Sequence, residues 1–433
     1  MNFVESLDYL YGLGYELSVK KFGLENTFTL LNALENPEKN YLKIQIAGTN
    51  GKGSTCAFLE SICIAADIKV GKYTSPHLVS ITERICVDGY EISEEKFANY
   101  TTQIKEFSQQ LVLDGKLQTL PTFFEQVTAI ALKYFADEKI EIAILETGLG
   151  GRFDSTTAAK AEIVAFTPID FDHQNILGNT LSEIASEKAA IIRSDTNVFS
   201  TKQKKEAKNT IYGKCRESGV ELVWAIPNVK IIEDLGGSLE YLNFQTKLSD
   251  YKAEFWMQGK HQWINATLAI YLAESLRDFG FKITKEQIEL GLMKTTHAGR
   301  LEYVHGILFD GAHNISGAQA LRDYLDEFIN RPITMIFGTM REKDLTEIAA
   351  ILFPKADRLI LTQPDHPRSM NIAELEKLVP SDFPAKSLFL SENVPNALLK
   401  ANEISTENDL ILVTGSLYLV GEVQKILKNE SEF

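Results

Sequence analysis

Two features of the sequence predict an α/β protein. Short apolar, β-rich runs repeatedly end in glycine or polar residues, and helix-length amphipathic stretches separate them. A third feature predicts two domains: the same rhythm starts again after the turn-like stretch 296–299, dividing the chain into residues 1–296 and a smaller 297–433.

The elements follow in order. Residues 43–47 (KIQIA) read as a strand running into glycines, and 54–66 as the helix that follows. A second strand, 70–74, ends before Ser75-Pro76, where proline holds its neighbour extended. Helices are expected over 93–113 and 122–135. Strands at 140–145 and 163–166 then deliver Glu146 and the Asp170, Asp172, His173 group to the carboxyl edge of a parallel sheet. Between 197 and 255 the pattern weakens into short β-like pieces, including 221–225 and 239–244, and an antiparallel subregion is expected. A helix over 265–276 precedes the boundary. Strands at 307–309, 333–337, 358–362 and 410–413 build the second, Rossmann-like unit.

A formal charge of -15 opposes nucleic acid and anionic membranes as partners. An anionic nucleotide would therefore need a local site made of backbone N–H groups, a few cations and a metal ion. Four cysteines without CxxC spacing fit a reducing cytoplasm, the expected location. No basic leader and no membrane-length apolar run is evident.

The chemistry begins at GTNGKGS, residues 48–54. Glycines at 48, 51 and 53 permit a tight backbone path that turns N–H groups toward phosphate oxygens. Lys52 adds a cation, the next helix presents its N-terminus, and Ser54 or Thr55 offers a hydroxyl to magnesium. The pattern is a variant, because Gly53 separates Lys52 from Ser54. A plain connecting turn is the alternative; the lysine, the hydroxyls and the strand–loop–helix context favour phosphate.

Taken with TSPHL (74–78), ERI (83–85), ETGLGGRFD (146–154), DFDH (170–173), LGNTLSEIASEKA (177–189), DGAHN (310–314) and TGSLYLVGEV (414–423), this loop strongly resembles the folylpolyglutamate synthase and dihydrofolate synthase group of the Mur ligase superfamily. The resemblance implies a two-domain Mur-ligase-like fold, with an N-terminal P-loop ATPase domain and a C-terminal Rossmann-like domain closing on a cleft. It also implies an ATP-dependent ligase that makes an acyl phosphate from a substrate carboxylate and passes the acyl group to the amine of L-glutamate. ATP would sit on Gly48, Thr49, Asn50, Gly51, Lys52, Gly53, Ser54 and Thr55, with Asn265, Arg300, Asp310 and His313 as further nucleotide contacts. Mg²⁺ would be held by Ser54, Ser75, Glu146 and His173. Lys52, His173, Lys188 and Arg300 would serve the reaction, Lys188 as a carbamylated lysine. Taken singly, Ser75 and Asp310 are as well read as loop caps, and Lys188 as a surface helical lysine.

On the substrate side, the resemblance implies dihydropteroate and/or tetrahydrofolate polyglutamates as acceptors. His77, Arg84 and Arg152 would orient carboxylate or phosphate oxygens, Phe123 would pack on the pterin, and Asp154 would bind its polar atoms. Phe123 also reads as ordinary helix core. The chain departs from the family pattern at GRFDSTT, EKAA and THAGR, where His297 and Ala298 replace a tryptophan and a proline. Lys343-Asp344 matches a further feature of the second domain. A monomer is expected. The alternatives are a Mur-type amino-acid ligase acting on a nucleotide-linked cell-wall precursor, and an ATP-binding scaffold without ligase activity.

Overall fold

In the computed structural model, residues 1–14, 23–236, 239–341 and 345–431 are described. The chain divides into two compact units. The first comprises Met1–Lys230, Asn243–Ala253 and Ile264–Thr295; the second comprises Ile231–Leu242, Glu254–Trp263 and Thr296–Phe433. Lys343-Asp344 lies outside the described residues.

The first unit is organised on eight strands: β1 (Leu42–Ala47), β2 (Val70–Tyr73), β3 (Ile85–Val87), β4 (Tyr90–Glu91), β5 (Ile142–Glu146), β6 (Ile163–Phe166), β7 (Asn197–Ser200) and β8 (Leu222–Trp224). Their order is β4-β3-β2-β5-β1-β6-β7-β8. From β2 to β8 every pair is parallel, while β3 and β4 add an antiparallel edge. The central strands are buried throughout, as a sheet covered on both faces requires. One face packs on helices Phe3–Gly12, Glu25–Ala33, Glu94–Leu113 and Phe123–Asp137. Another core, on Phe166, Ile184, Val198 and Ile211, joins β6 and β7 to the helices Leu181–Ala189 and Lys205–Ser218.

The expected antiparallel subregion over 197–255 needs correction. β7 and β8 extend the main parallel sheet, with the helix Lys205–Ser218 as their crossover. That helix is the polar element in the stretch: only Ala207, Ile211 and Cys215 form its buried stripe. A narrow apolar stripe on so charged a helix leaves little signal in the sequence. A separate three-stranded sheet follows: β9 (Val229–Gly236), β10 (Leu239–Gln245) and β11 (Asp250–Phe255), in the order β11-β10-β9.

In the second unit the order is β12-β13-β17-β14-β15-β16, from β12 (Arg300–Val304), β13 (Ile307–Asp310), β14 (Ile333–Phe337), β15 (Arg358–Thr362), β16 (Leu388–Ser391) and β17 (Leu410–Thr414). All pairs are parallel except β12 with β13. β12 and β16 are the strands that the sequence pattern did not give. Both are short and partly exposed edges, so neither has a continuous apolar run.

Candidate functional site

The register of the first sheet brings the principal residues to one edge. Ile46 pairs with Glu146 and Ala47 with Phe166, while Tyr73 pairs with Leu145. The residues leaving β1, β2, β5 and β6 therefore emerge side by side at the carboxyl ends, where the strand connections turn to opposite sides of β1. Gly48 leaves β1 at φ +150, so close to Thr167 that a Cβ would lie 1.9 Å from its Oγ1. Gly51 caps the helix Lys52–Ala65 in the left-handed region, at φ 85. A Cβ there would lie 2.2 Å from Asn265 Oδ1, which places Asn265 directly against the loop.

Hydrogen bonds sort the loop into an anchored and a presenting half. The Thr49 and Asn50 N–H groups both donate to the Pro168 carbonyl, at 3.0 and 3.4 Å, and Thr49 Oγ1 donates to the Asp170 carbonyl. These two amides therefore pin the loop to the segment that follows β6, while Gly51 opens the helix whose N-terminus the sequence reading expects to meet phosphate. Thr55 Oγ1 donates to the Gly51 carbonyl at 2.9 Å, so its proton is engaged within the first turn of the helix.

Lys52 folds back across the loop, donating to the Thr49 carbonyl at 3.1 Å with its Nζ 4.0 Å from Glu146 Oε1. Glu146, at the end of β5, is buried, and its Oε2 accepts the Ser75 N–H at 3.1 Å. Lys188 is buried beneath the loop, where its Nζ donates to the Gly48 carbonyl at 2.7 Å. Burial first, and then the positive charge of Lys52, lowers the Lys188 pKa to about 7. His173 is a left-handed residue that starts the short helix Gln174–Leu177, with its Nε2 3.7 Å from Asp172 Oδ1.

The residues expected from the sequence to hold Mg²⁺ are of the hard-donor type. Ser54, Ser75 and Glu146 offer oxygen and His173 an imidazole. Among the described residues, no three His, Cys, Asp or Glu side chains converge.

A second cluster lies in the same unit. Arg84 is buried, donates from Nε to His77 Nδ1 at 2.8 Å, and places its guanidinium 5.5 Å from the centre of the Phe123 ring. Phe123 in turn stacks on Tyr11, with ring centres 5.5 Å apart. Burial and the adjacent Arg84 lower the His77 pKa to about 3, so this histidine is a neutral ring at physiological pH.

Asp154 sits differently from a ligand-facing carboxylate. It is buried; Oδ2 accepts the N–H groups of Gly148 and Leu149 at 2.8 and 2.9 Å, and Oδ1 accepts both the N–H and the hydroxyl of Thr156. Its oxygens are occupied in bracing the 146–154 loop. Arg152 forms a partly exposed pair with Glu187, Nε to Oε1 at 2.9 Å.

The second unit carries its own group. Arg300 opens β12 and pairs in register with Asp310 at the end of β13. Asp310 is buried, accepts the N–H groups of Leu301 and Ala312, and has its pKa raised to about 6, because burial outweighs the stabilising charge of Arg300. His313 approaches the Gly311 carbonyl through Nδ1 at 2.7 Å. Arg300 also helps lower the pKa of the half-buried His261 to about 4, after desolvation of the ring itself.

The sequence reading missed the support behind the loop. Gln203 accepts the Ile169 N–H and donates to the Thr167 carbonyl, both at 2.9 Å, while Lys204 grips both oxygens of Asp170. These residues follow β7 directly, so placing β7 in the parallel sheet would have put them at the same edge.

Comparison with known proteins gives two family matches. The Mur ligase middle domain covers residues 46–273, and the Mur ligase glutamate ligase domain covers 299–417. The chain is 34% identical to the dihydrofolate synthase/folylpolyglutamate synthase of Bacillus subtilis, over 94% of this chain and 95% of that protein. It superposes on Mycobacterium tuberculosis folylpolyglutamate synthase complexed with ADP with a TM-score of 0.90 at 26% identity, covering 98% of this chain and 99% of the other. Against E. coli FolC in complex with DHPP and ADP the TM-score is 0.86 at 26% identity, covering 100% and 99%. Among the described residues no helix is long and apolar enough to cross a membrane.

Proposed function

The chain belongs to the Mur ligase family, in its folylpolyglutamate synthase/dihydrofolate synthase branch, and from that premise we propose that it joins L-glutamate to dihydropteroate and to the glutamyl tail of tetrahydrofolate at the expense of ATP. The observation that carries the reading is the edge formed by β1, β2, β5 and β6. A left-handed Gly51 at a helix N-terminus, Lys52, the buried Glu146 and Asn265 meet there around the 48–54 loop. Residues 1–296 are assigned to ATP and folate, and residues 297–433 to glutamate ligation.

The chemistry follows from the charge distribution. The helix N-terminus and Lys52 orient the terminal phosphoryl group for attack by the folate carboxylate, giving an acyl phosphate and ADP. The glutamate amine then attacks the acyl carbon, forming the amide and expelling phosphate. No enzyme nucleophile is needed. Mg²⁺ on Ser54, Ser75, Glu146 and His173, when bound, offsets phosphate charge. Water must be kept from the acyl phosphate until the amine arrives.

Lys188 is assigned as a carbamylated lysine. Carbon dioxide reacts with the unprotonated amine, and a buried lysine whose pKa falls to about 7 supplies that form near neutrality. Arg300, Asp310 and His313 are assigned to nucleotide contacts. His77, Arg84 and Phe123 are assigned to the folate side, where the stacked guanidinium and the neutral imidazole orient the substrate. Asp154 is assigned to hold the folate loop through Gly148 and Leu149.

Trapping tests the two-step course. With ATP, Mg²⁺ and dihydropteroate but no glutamate, hydroxylamine should convert the accumulated acyl phosphate to a hydroxamate of the substrate. ADP release without any hydroxamate would count against an acyl-phosphate route.

A further inference from the structure

Past the end of β6, the first sheet continues on a side chain. Thr201 N–H donates to the Phe166 carbonyl at 2.9 Å, as the next bond between β6 and β7 would. The bond after it is missing, because Pro168 has no N–H to give the Thr201 carbonyl, which accepts the Ser200 hydroxyl at 3.0 Å instead. The amide of Gln203 takes over. Its Oε1 accepts the Ile169 N–H and its Nε2 donates to the Thr167 carbonyl, both at 2.9 Å, so it closes on the peptide groups either side of Pro168. Nε2 also lies 3.2 Å from Ser200 Oγ and 3.4 Å from Thr201 Oγ1, which fixes the side chain against the end of β7. Gln203, Thr167 and Ile169 are all buried.

The opposite side of the same segment carries the phosphate loop. The Pro168 carbonyl accepts the N–H groups of Thr49 and Asn50, and Thr49 Oγ1 both donates to the Asp170 carbonyl and accepts the Asp170 N–H, each at 3.0 Å. Three residues further on lies His173. There is little slack in the contact, because a Cβ on Gly48 would stand 3.1 Å from the Thr167 carbonyl oxygen. Residues 167–170 are thus gripped by Gln203 from the β7 side and by the 48–50 backbone from the β1 side. Lys204 adds a second hold, with Nζ 2.7 and 2.9 Å from the two Asp170 carboxylate oxygens. That lysine is half exposed, so its pair is the weaker of the two. Removing the Gln203 amide would instead leave a buried N–H and a buried carbonyl to seek other partners, and the segment would shift to supply them.

We propose that Gln203 is a positioning residue for phosphoryl transfer, acting on ATP through residues 167–170 and the Thr49 and Asn50 backbone bonded to them. That role rests on the ATP-dependent reaction proposed above, and it falls on a residue outside every motif of the sequence. In-line transfer tolerates little displacement, since a shift of about 1 Å in a positioning group can cost on the order of 100-fold in rate. The Thr49 hydroxyl is the second grip on the same segment, so the two side chains act as a unit.

The test is steady-state kinetics of Q203M, T49V, T49S and the double variant Q203M/T49V, varying ATP, dihydropteroate and glutamate in turn. Methionine keeps the length of Gln203 and removes its polar atoms. Q203M should lower kcat/KM for ATP by about 30-fold or more, with the KM values for dihydropteroate and glutamate within about twofold of wild type. Calorimetric titration with a nonhydrolysable ATP analogue and Mg²⁺ should show weaker binding in Q203M without any turnover. T49V should lose about 10-fold in kcat/KM for ATP, and T49S, which keeps the hydroxyl, no more than about threefold. The double variant should be at most about threefold worse than the poorer single one, whereas independent sites would multiply. In folded Q203M, an unchanged kcat/KM for ATP, equal losses for all three substrates, or full multiplication in the double variant would overturn the proposal. Should Q203M fail to fold, T49V and T49S decide: an ATP-selective loss in T49V that T49S escapes supports it, and equal behaviour of the two overturns it. A wild-type protein that binds the analogue more tightly than Q203M but forms no glutamyl adduct would leave the positioning of nucleotide standing and refute the function.

Discussion

Asp154 offers a prediction whose size can be worked from the hydrogen bonds. In D154N one carboxylate oxygen becomes an NH₂ group, and the best arrangement keeps the amide oxygen on the Gly148 and Leu149 N–H groups. The NH₂ then faces Thr156, whose hydroxyl can turn to accept, but the Thr156 N–H is left facing a donor. One stranded buried donor costs about 1–3 kcal/mol. Part of this is recovered, because burial raises the Asp154 pKa and the amide is no longer a buried charge. D154A strands the Gly148, Leu149 and Thr156 amides together and should cost about 3–6 kcal/mol. Amide hydrogen exchange reads the effect where it occurs. Protection at Gly148 and Leu149 should fall little in D154N and by at least about 100-fold in D154A, with global stability in the order wild type, D154N, D154A. If both variants keep wild-type protection while the KM for dihydropteroate rises, Asp154 is a substrate ligand and the bracing argument is wrong.

Other consequences concern the phosphate loop. Lys188 has its folded-state pKa lowered from 10.5 to about 7, so the unfolded chain binds the extra proton between those values. Wild-type stability should therefore rise from pH 7 upward by up to several kcal/mol relative to K188M, measured as paired thermal unfolding in carbon dioxide-free buffer. A constant difference between the two would refute the lowered pKa of the buried amine. K52A should lower turnover by about 100-fold or more with the fold intact, as loss of a phosphate-stabilising cation does; unchanged kcat would remove Lys52 from its role. G51A puts a Cβ in the left-handed region and 2.2 Å from Asn265 Oδ1, so ATP affinity should fall by about 10-fold or more. Adding N265A should relieve the overlap and restore part of the thermal stability that G51A loses, and no restoration would mean that the backbone conformation alone is responsible.

The parts of the fold that were legible in the sequence are those where burial leaves a simple mark. β1, β5, β6, β13, β14, β15 and β17 are central parallel strands, and their continuous apolar runs identify them within a residue or two. Edge strands β12 and β16 and the polar crossover helix Lys205–Ser218 lack that mark. The loop was readable because glycine, lysine and hydroxyl chemistry is local. The partners that fix the loop are not: Thr167 against Gly48, the Pro168 carbonyl, Gln203 and Lys204 are joined to it only by sheet order. Sequence also could not distinguish a carboxylate available to substrate from one already occupied, as at Asp154, or reveal that Arg84 and Phe123 form a single stack.

The central claim is glutamate transfer coupled to ATP cleavage. The protein incubated with ATP, Mg²⁺, L-glutamate and either dihydropteroate or tetrahydrofolate should release ADP and yield a folate heavier by one glutamyl residue, as read by mass spectrometry. One ADP should form per residue added, and none of the adduct should appear when any component is omitted. ATP hydrolysis with no glutamyl adduct on either acceptor would contradict the account.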